Sequence, residues 1–235
     1  MVVAFTHVVL DGLGPRAAGF WAAALASTWR AAGPDPALPA SLVPEGGDAY
    51  VHRAGRGVEA PAVVLEVADV EAEVRRLVRL GAGREGTLLR SPGGLALGLE
   101  PVQGRVRAPA TRWPDGTTSR LVQLCLDCPP GTAEREAGFW AAATGWRWQD
   151  CGSPEFVCHL VPPAGPLQLL VQRRGSTEPA EVTVHLDLGC SDREAEAARL
   201  VALGATRIAT GDGWIVLEDP DGRRFCATGQ PPEAP

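Results

Sequence analysis

The chain repeats itself. Residues Arg16 to Ala24 read RAAGFWAAA and return at Arg135 to Ala143 as REAGFWAAA. A second pair follows in the same order, EAEVRRLVRLGA at Glu71 to Ala82 against EAEAARLVALGA at Glu194 to Ala205. A third is Ser91-Pro92-Gly93-Gly94 against Asp219-Pro220-Asp221-Gly222. Ala-rich helices that are alike by chance do not keep order and near-constant spacing, so the reading is two divergent copies of one domain. The stretch GRVRAPATRWPDGTT between them is polar, contains Pro and lacks periodicity. This predicts a first domain over 1–104, a linker over 105–117, a second domain over 118–229 and a loose tail over 230–235.

All 22 basic residues are Arg, and the chain contains neither Lys nor Asn. That excludes a Schiff-base lysine and Asn-linked glycosylation; the Ala, Arg, Gly and Pro richness fits the coding bias of a GC-rich bacterial genome. A net charge of −6 without a basic block argues against a nucleic-acid partner. No apolar run reaches membrane-spanning length, and MVVAFTHVVLD lacks the regions of a signal peptide, so no membrane partner and a cytoplasmic location are expected. The six cysteines, Cys125, Cys128, Cys151, Cys158, Cys190 and Cys226, all fall in the second copy, whereas a disulfide framework would be built into both. They read as reduced thiols. Cys125 and Cys128 form a C-x-x-C with no second pair to complete a zinc site, and read as small buried hydrophobes.

Periodicity gives each copy the same plan. Val2 to Leu10 reads as a strand and Arg16 to Trp29 as a helix; Leu121 to Leu126 and Ala133 to Thr144 repeat this. Short apolar runs follow between Pro and Gly. Each copy then starts over with a strand (Ala62 to Val67; Val182 to Leu188), an amphipathic helix ending in Leu-Gly-Ala, and more short strands. The order is β-α-β-β-β, twice per copy. The Gly after Leu80 and after Leu203 stands where a helix C-terminus needs a left-handed residue.

These features resemble the vicinal oxygen chelate superfamily, the glyoxalase and bleomycin-resistance-like proteins, and in particular their small glyoxalase-like domains. The residues that carry the likeness are HLDL at His185 to Leu188, AEAARLVALGAT at Ala195 to Thr206, Trp214 to Leu217, and DPDGRRFC at Asp219 to Cys226. The resemblance implies an α+β fold of two tandem glyoxalase-like domains, each of paired βαβββ modules forming a curled mixed sheet around a cleft, the two domains meeting as an intrachain pseudo-dimer. It says far less about reaction, because one fold hosts many chemistries.

Members of the superfamily that do chemistry hold a divalent metal on the first, fifth and last strands of the sheet, usually with His or Gln, His, and Glu. Carried over residue by residue, those places fall in copy two on Gln123, His185 and Cys226, a set that would favour Zn. In copy one they fall on His7, Ala62 and Gly98, with Glu100 two residues beyond on the same strand face. The alternative reading makes His185 an inward hydrogen-bonding residue and Cys226 a small core residue, with no metal. Losing the Glu favours this second reading.

The remaining motifs carry less. Gly12-Leu13-Gly14-Pro15-Arg16-Ala17 mimics a dinucleotide-binding turn, but copy two has lost it. His52 and His159 read as edge or rim residues. Trp21 and Trp140 read as helix core anchors; Trp146, Trp148 and Trp214 are absent from copy one and line the second cleft or pack its core. The function expected is binding of a small-molecule ligand in the copy-two cleft around Gln123, His185, Asp187, Trp214, Cys226 and Trp148, without a catalytic metal. The alternative is a divalent-metal-dependent lyase, isomerase or dioxygenase of glyoxalase type.

Overall fold

The computed structural model describes residues 3–31, 40–55, 60–86, 88–165, 167–177 and 179–233. Val2 of the expected first strand and the last two residues of the expected tail lie outside them. The chain forms four βαβββ modules. The first runs β1 (Phe5–Leu10), α1 (Pro15–Ala24), β2 (Ser27–Arg30), β3 (Ala40–Pro44) and β4 (Val51–Arg53). The second runs β5 (Val63–Val67), α2 (Val70–Arg79), β6 (Gly83–Glu85), β7 (Leu88–Arg90) and β8 (Ala96–Pro101). After the short β9 (Thr111–Arg112) comes the third, β10 (Thr118–Cys128), α3 (Ala133–Thr144), β11 (Arg147–Gln149), β12 (Phe156–Val161) and β13 (Gln168–Arg173). The fourth is β14 (Thr183–Cys190), α4 (Arg193–Ala202), β15 (Thr206–Thr210), β16 (Trp214–Glu218) and β17 (Arg224–Thr228).

Two modules join into one mixed sheet per copy. Sheet A has the order β2-β3-β4-β1-β5-β8-β7-β6 and sheet B the order β11-β12-β13-β10-β14-β17-β16-β15. In each, the first strands of the two modules lie antiparallel at the centre, flanked by parallel partners. Four adjacent strands therefore cross the middle of each sheet, where alternate side chains face either the helices or the concave side.

The helices sit where capping chemistry puts them. Asp69 accepts from Ala72 N at 2.9 Å, and Asp192 accepts from Glu194 N and Ala195 N, both at 3.0 Å, so both second-module helices open on an Asp N-cap. Gly81 and Gly204, at φ of 106° and 114°, end those helices in the left-handed region as their sequence position requires. The first helix is shorter than its composition indicates. It stops at Ala24, because Ala26 turns the chain with φ of 45° and Ser27–Arg30 pairs with β3. Tertiary pairing here overrides the helix propensity of the Ala run.

The helices of each copy pack against the other copy. Trp21, fully buried on α1, donates from Nε1 to Asp219 Oδ2 at 2.8 Å, and its ring meets Phe225 of β17 at 5.0 Å. Trp140 holds the matching place on α3, donating to Glu136 Oε2 at 2.9 Å while Glu136 accepts from Gly93 N in copy one. The exchange is reciprocal at the helix ends as well. Arg199 of α4 donates to Ala24 O at 3.0 Å, and Arg76 of α2 donates to Ala142 O and Ala143 O at 2.8 and 2.6 Å, so each guanidinium takes last-turn carbonyls of the other copy's first helix.

The Gly-rich turn before α1 is closed by the protein itself. Gly14 N donates to Asp221 Oδ2 at 2.6 Å, so a carboxylate of copy two already occupies the anion site of this helix N-terminus.

Candidate functional site

On the concave side of sheet B, alternation brings Gln123, Cys125 and Asp127 from β10 onto the same face as His185 and Asp187 from β14 and Cys226 from β17. The register sets Gln123 opposite Asp187, Cys125 opposite His185, and Asp187 opposite Cys226. Above them lies a cavity of about 530 Å³, whose walls include Phe156, Trp214, His159, Arg193 and Gln230. The rings of Phe156 and Trp214 meet edge to face at 5.6 Å and give the cleft a flat apolar wall.

His185 is the hub. Its Nδ1 lies 2.6 Å from Asp127 Oδ2, which turns Nε2 toward Asp187 Oδ1 at 3.2 Å and Cys226 Sγ at 3.6 Å. Burial works against a charged imidazole here, but Cys125, Asp187 and Asp127 outweigh it and hold the ring well above its ordinary range. Burial also pushes the Cys125 thiol well up, so Cys125 is neutral and the two carboxylates carry the effect. The Cys226 thiol is raised to about 11, first by burial and then by Asp187.

Asp187 is held from one side only. Its Oδ2 accepts from Gln123 Nε2 at 2.5 Å, and Gln123 Oε1 accepts from Gln230 Nε2 at 2.9 Å. The other oxygen, Oδ1, is buried and accepts no hydrogen bond among the described residues; the His185 contact has ion-pair distance without hydrogen-bond alignment. With its side chain only 4% exposed, an unpaired oxygen of this kind carries a desolvation penalty.

Five of the six cleft residues expected from sequence, Gln123, His185, Asp187, Trp214 and Cys226, line this cavity. Trp148 does not. It is exposed on the edge strand β11 and donates to Asp150 Oδ1 at 2.9 Å, because a three-residue strand with all side chains exposed has no inward face to put it on. Trp146 is buried in the core. Cys125, Gln172 and Arg193 also line the cavity, and Asp127 reaches it only through His185. Period-two spacing from Gln123 reaches Cys125 and Asp127 and was the available signal.

Sheet A builds a different cluster. His7 Nε2 lies 2.8 Å from Glu100 Oε1 and 3.1 Å from Glu66 Oε1, while its Nδ1 meets His52 Nε2 at 2.9 Å. His52 in turn meets Ser41 Oγ at 3.0 Å. The structure thus brings His7 and Glu100 together, and Glu66, a lone acid in the apolar strand VVLEV, joins them. Gly98 backs onto Pro61, and the chain after β8 folds over the cluster. Arg105 Nε donates to Glu66 Oε1 at 2.6 Å and Gln103 N to Oε2 at 3.0 Å, so a guanidinium supplies the positive charge there.

The residues of sheet B fit the superfamily's metal pattern poorly. Gln123 has both ends of its amide engaged, and β17 offers a thiol where a carboxylate is expected. A hard ion such as Mn(II), which prefers oxygen donors, does not fit those three positions.

Two curled mixed sheets, each of paired βαβββ modules with side chains of the central strands converging on the concave face, define the vicinal oxygen chelate fold. Residues 123–228 match the glyoxalase-like domain family. No curated protein matches the sequence. Among solved structures, the chain is similar to an Mn(II)-bound glyoxalase from Novosphingobium aromaticivorans, with 16% identity over 94% of this chain and 80% of that one and a TM-score of 0.64. It is also similar to a variant 4-hydroxymandelate synthase from Streptomyces coelicolor (16% identity, 97% and 92% coverage, TM-score 0.59). A third likeness is to a variant homoprotocatechuate 2,3-dioxygenase from B. fuscum (14% identity, 98% and 71% coverage, TM-score 0.58). At such identities the likeness concerns fold. No described helix is long and apolar enough to cross a membrane.

Proposed function

We propose that the sheet-B cleft binds a small molecule that has a flat apolar part and polar, negatively charged substituents. The observation that carries this is the roughly 530 Å³ cavity itself, an apolar-walled hollow with a few convergent polar groups at its base. Phe156 and Trp214 offer stacking surface. Arg193 lines the same cavity and has no hydrogen bond or ion pair among the described residues, so it is available to an anionic group. His185, held as a cation, is a second donor at the base.

Sheet A has no role in this reading beyond support, since its concave cluster is filled by Arg105 and Gln103. A metal-dependent reaction of lyase, isomerase or dioxygenase type is the second reading, favoured by the glyoxalase and dioxygenase names among the structural neighbours. It ranks second because Gln123, His185 and Cys226 do not fit a hard ion such as the Mn(II) of that glyoxalase.

A thermal-shift screen of aromatic and aliphatic carboxylates, followed by calorimetry, tests the proposal. Compounds that stabilise the protein are expected to lose about tenfold or more in affinity in Trp214→Ala, an anchor loss of ~1.4 kcal/mol, and anionic ones to lose as much in Arg193→Ala. Compounds whose binding ignores both substitutions would sink the assignment of this cleft.

A further inference from the structure

We propose that the end of the sheet-B cleft beside Gln123 is a subsite for a carboxamide, and that the side chain of Gln230 fills it as an internal stand-in. A ligand amide takes the place that Gln230 holds, donating to Gln123 Oε1 and accepting from Gln168 Nε2. This goes beyond the flat anionic molecule proposed above by adding a neutral group of defined polarity, and its test does not depend on that molecule.

Strand register builds the floor of the subsite. Gln168 of β13 stands opposite Gln123 of β10, which stands opposite Asp187 of β14. All three are polar and buried. Gln230, from the segment after β17, reaches over this row. Its Oε1 accepts from Gln168 Nε2 at 2.6 Å and its Nε2 donates to Gln123 Oε1 at 2.9 Å. Gln123 and Gln230 both line the cavity.

The direction of each amide follows from the carboxylate at the end of the row. A carboxylate only accepts, so Gln123 turns its NH2 group to Asp187 Oδ2, at 2.5 Å, and its own oxygen away. That oxygen needs a donor, which Gln230 supplies with its NH2 group; the Gln230 oxygen then needs one in turn, which Gln168 supplies. The floor therefore offers one acceptor and one donor, and a carboxamide answers both at once. A carboxylate of the same shape would set oxygen against Gln123 Oε1 and leave that buried acceptor without a donor. This end of the cleft thus selects amide over acid, whereas Arg193 and His185 favour the acid elsewhere in the same cavity.

The seat of Gln230 does not depend on its side chain. Gly229 N donates to Gly213 O at 3.0 Å, and Pro232, two residues beyond Gln230, is buried. The Gln230 carbonyl oxygen lies so close to Gly189 that a Cβ there would stand 2.8 Å from it. Shortening the Gln230 side chain therefore vacates the subsite and leaves the segment that frames it in place.

Acetamide and acetate have the same shape and differ in the donor, so they are the probes, used with the full chain carrying Gln230→Ala. Ligand-observed NMR titration is expected to show acetamide binding about tenfold or more tighter than acetate. Wild-type protein, whose subsite is filled, is expected to show no saturable acetamide binding, and adding Gln123→Leu to the variant should remove it. Acetamide, but not acetate, should also raise the melting temperature of Gln230→Ala toward wild type. Gln230→Glu keeps the shape without the donor and is expected to melt below wild type. Near-UV circular dichroism of the tryptophans reports which variants fold, and Gln230→Ser replaces Gln230→Ala if that variant does not. Acetate binding as tight as acetamide overturns the subsite, as does a vacated variant that binds neither. So does acetamide binding that wild type shares or that Gln123→Leu leaves intact, or a Gln230→Glu protein as stable as wild type. Trp214→Ala and Arg193→Ala read the flat and anionic parts of the cleft separately, so either reading can fail alone.

Discussion

Ala26 and Gly145 occupy the same place in the two copies, just past the first helix, and both lie in the left-handed region, at φ of 45° and 67°. Copy two uses the residue that suffers no steric penalty there; copy one does not. Ala26→Gly is expected to stabilise the protein by about 0.5 to 1 kcal/mol, the relief of left-handed strain less the added freedom of the unfolded chain. Urea unfolding at constant pH measures it, and a loss of stability would show that Ala26 is held there by favourable packing.

The two buried histidines give opposite pH dependences in chelator-stripped protein. His185 is held above its ordinary 6.5, so its contribution is complete below pH 6.5 and is lost as pH rises through the raised folded value. His52 is lowered to about 4, chiefly by burial and then by His7, so its contribution is present above pH 6.5 and is lost as pH falls toward 4. Denaturant curves across pH for His185→Gln and His52→Gln should converge on wild type at opposite ends, and imidazole NMR titration reads each shift directly.

Trp21→Phe and Trp140→Phe keep the ring contact and delete one N–H each. In the first, Asp219 Oδ2 loses the indole that holds it, at a cost of about 1 to 3 kcal/mol. Glu136, the partner in the second, already has its carboxyl raised by burial, so it takes up a proton readily and the loss shrinks as pH falls. Equal losses at every pH in calorimetry would contradict this difference.

Removing Arg105 leaves the fully buried Glu66 without its guanidinium. Arg105→Ala is expected to destabilise by about 3 kcal/mol, the low end for breaking a buried pair because Arg105 is itself 25% exposed. Arg105→Lys should recover only part of that, since an ammonium does not reproduce the donor geometry of Nε. A melting temperature unchanged in the alanine variant would mean that His7 and Gln103 suffice.

Much of this architecture was legible in the sequence because it repeats. The strand and helix order, the Gly after Leu80 and Leu203, and the burial of Trp21 and Trp140 follow from residue types whose local preferences agree with the fold. The first helix ends five residues before its Ala-rich composition indicates, because Ala-rich sequence says nothing about the pairing of Ser27–Arg30 with β3. For the site, His185, Asp187 and Cys226 could be placed on their strands, but not the fact that Asp187 turns one oxygen to Gln123 and leaves the other bare. Side-chain partners such as Gln230 and Arg105 come from segments outside the central strands, and their paths depend on tertiary contacts that no spacing encodes.

The crossed capping by Arg76 and Arg199 has an ancestral corollary. A polypeptide of one copy's length would present a first helix with uncapped last-turn carbonyls and a guanidinium with nothing to cap, and a second molecule of itself would answer both. Within one chain the exchange is intramolecular and concentration-independent. Once joined, only one cleft need remain open, and the other is free to be sealed by the segment that performs the joining.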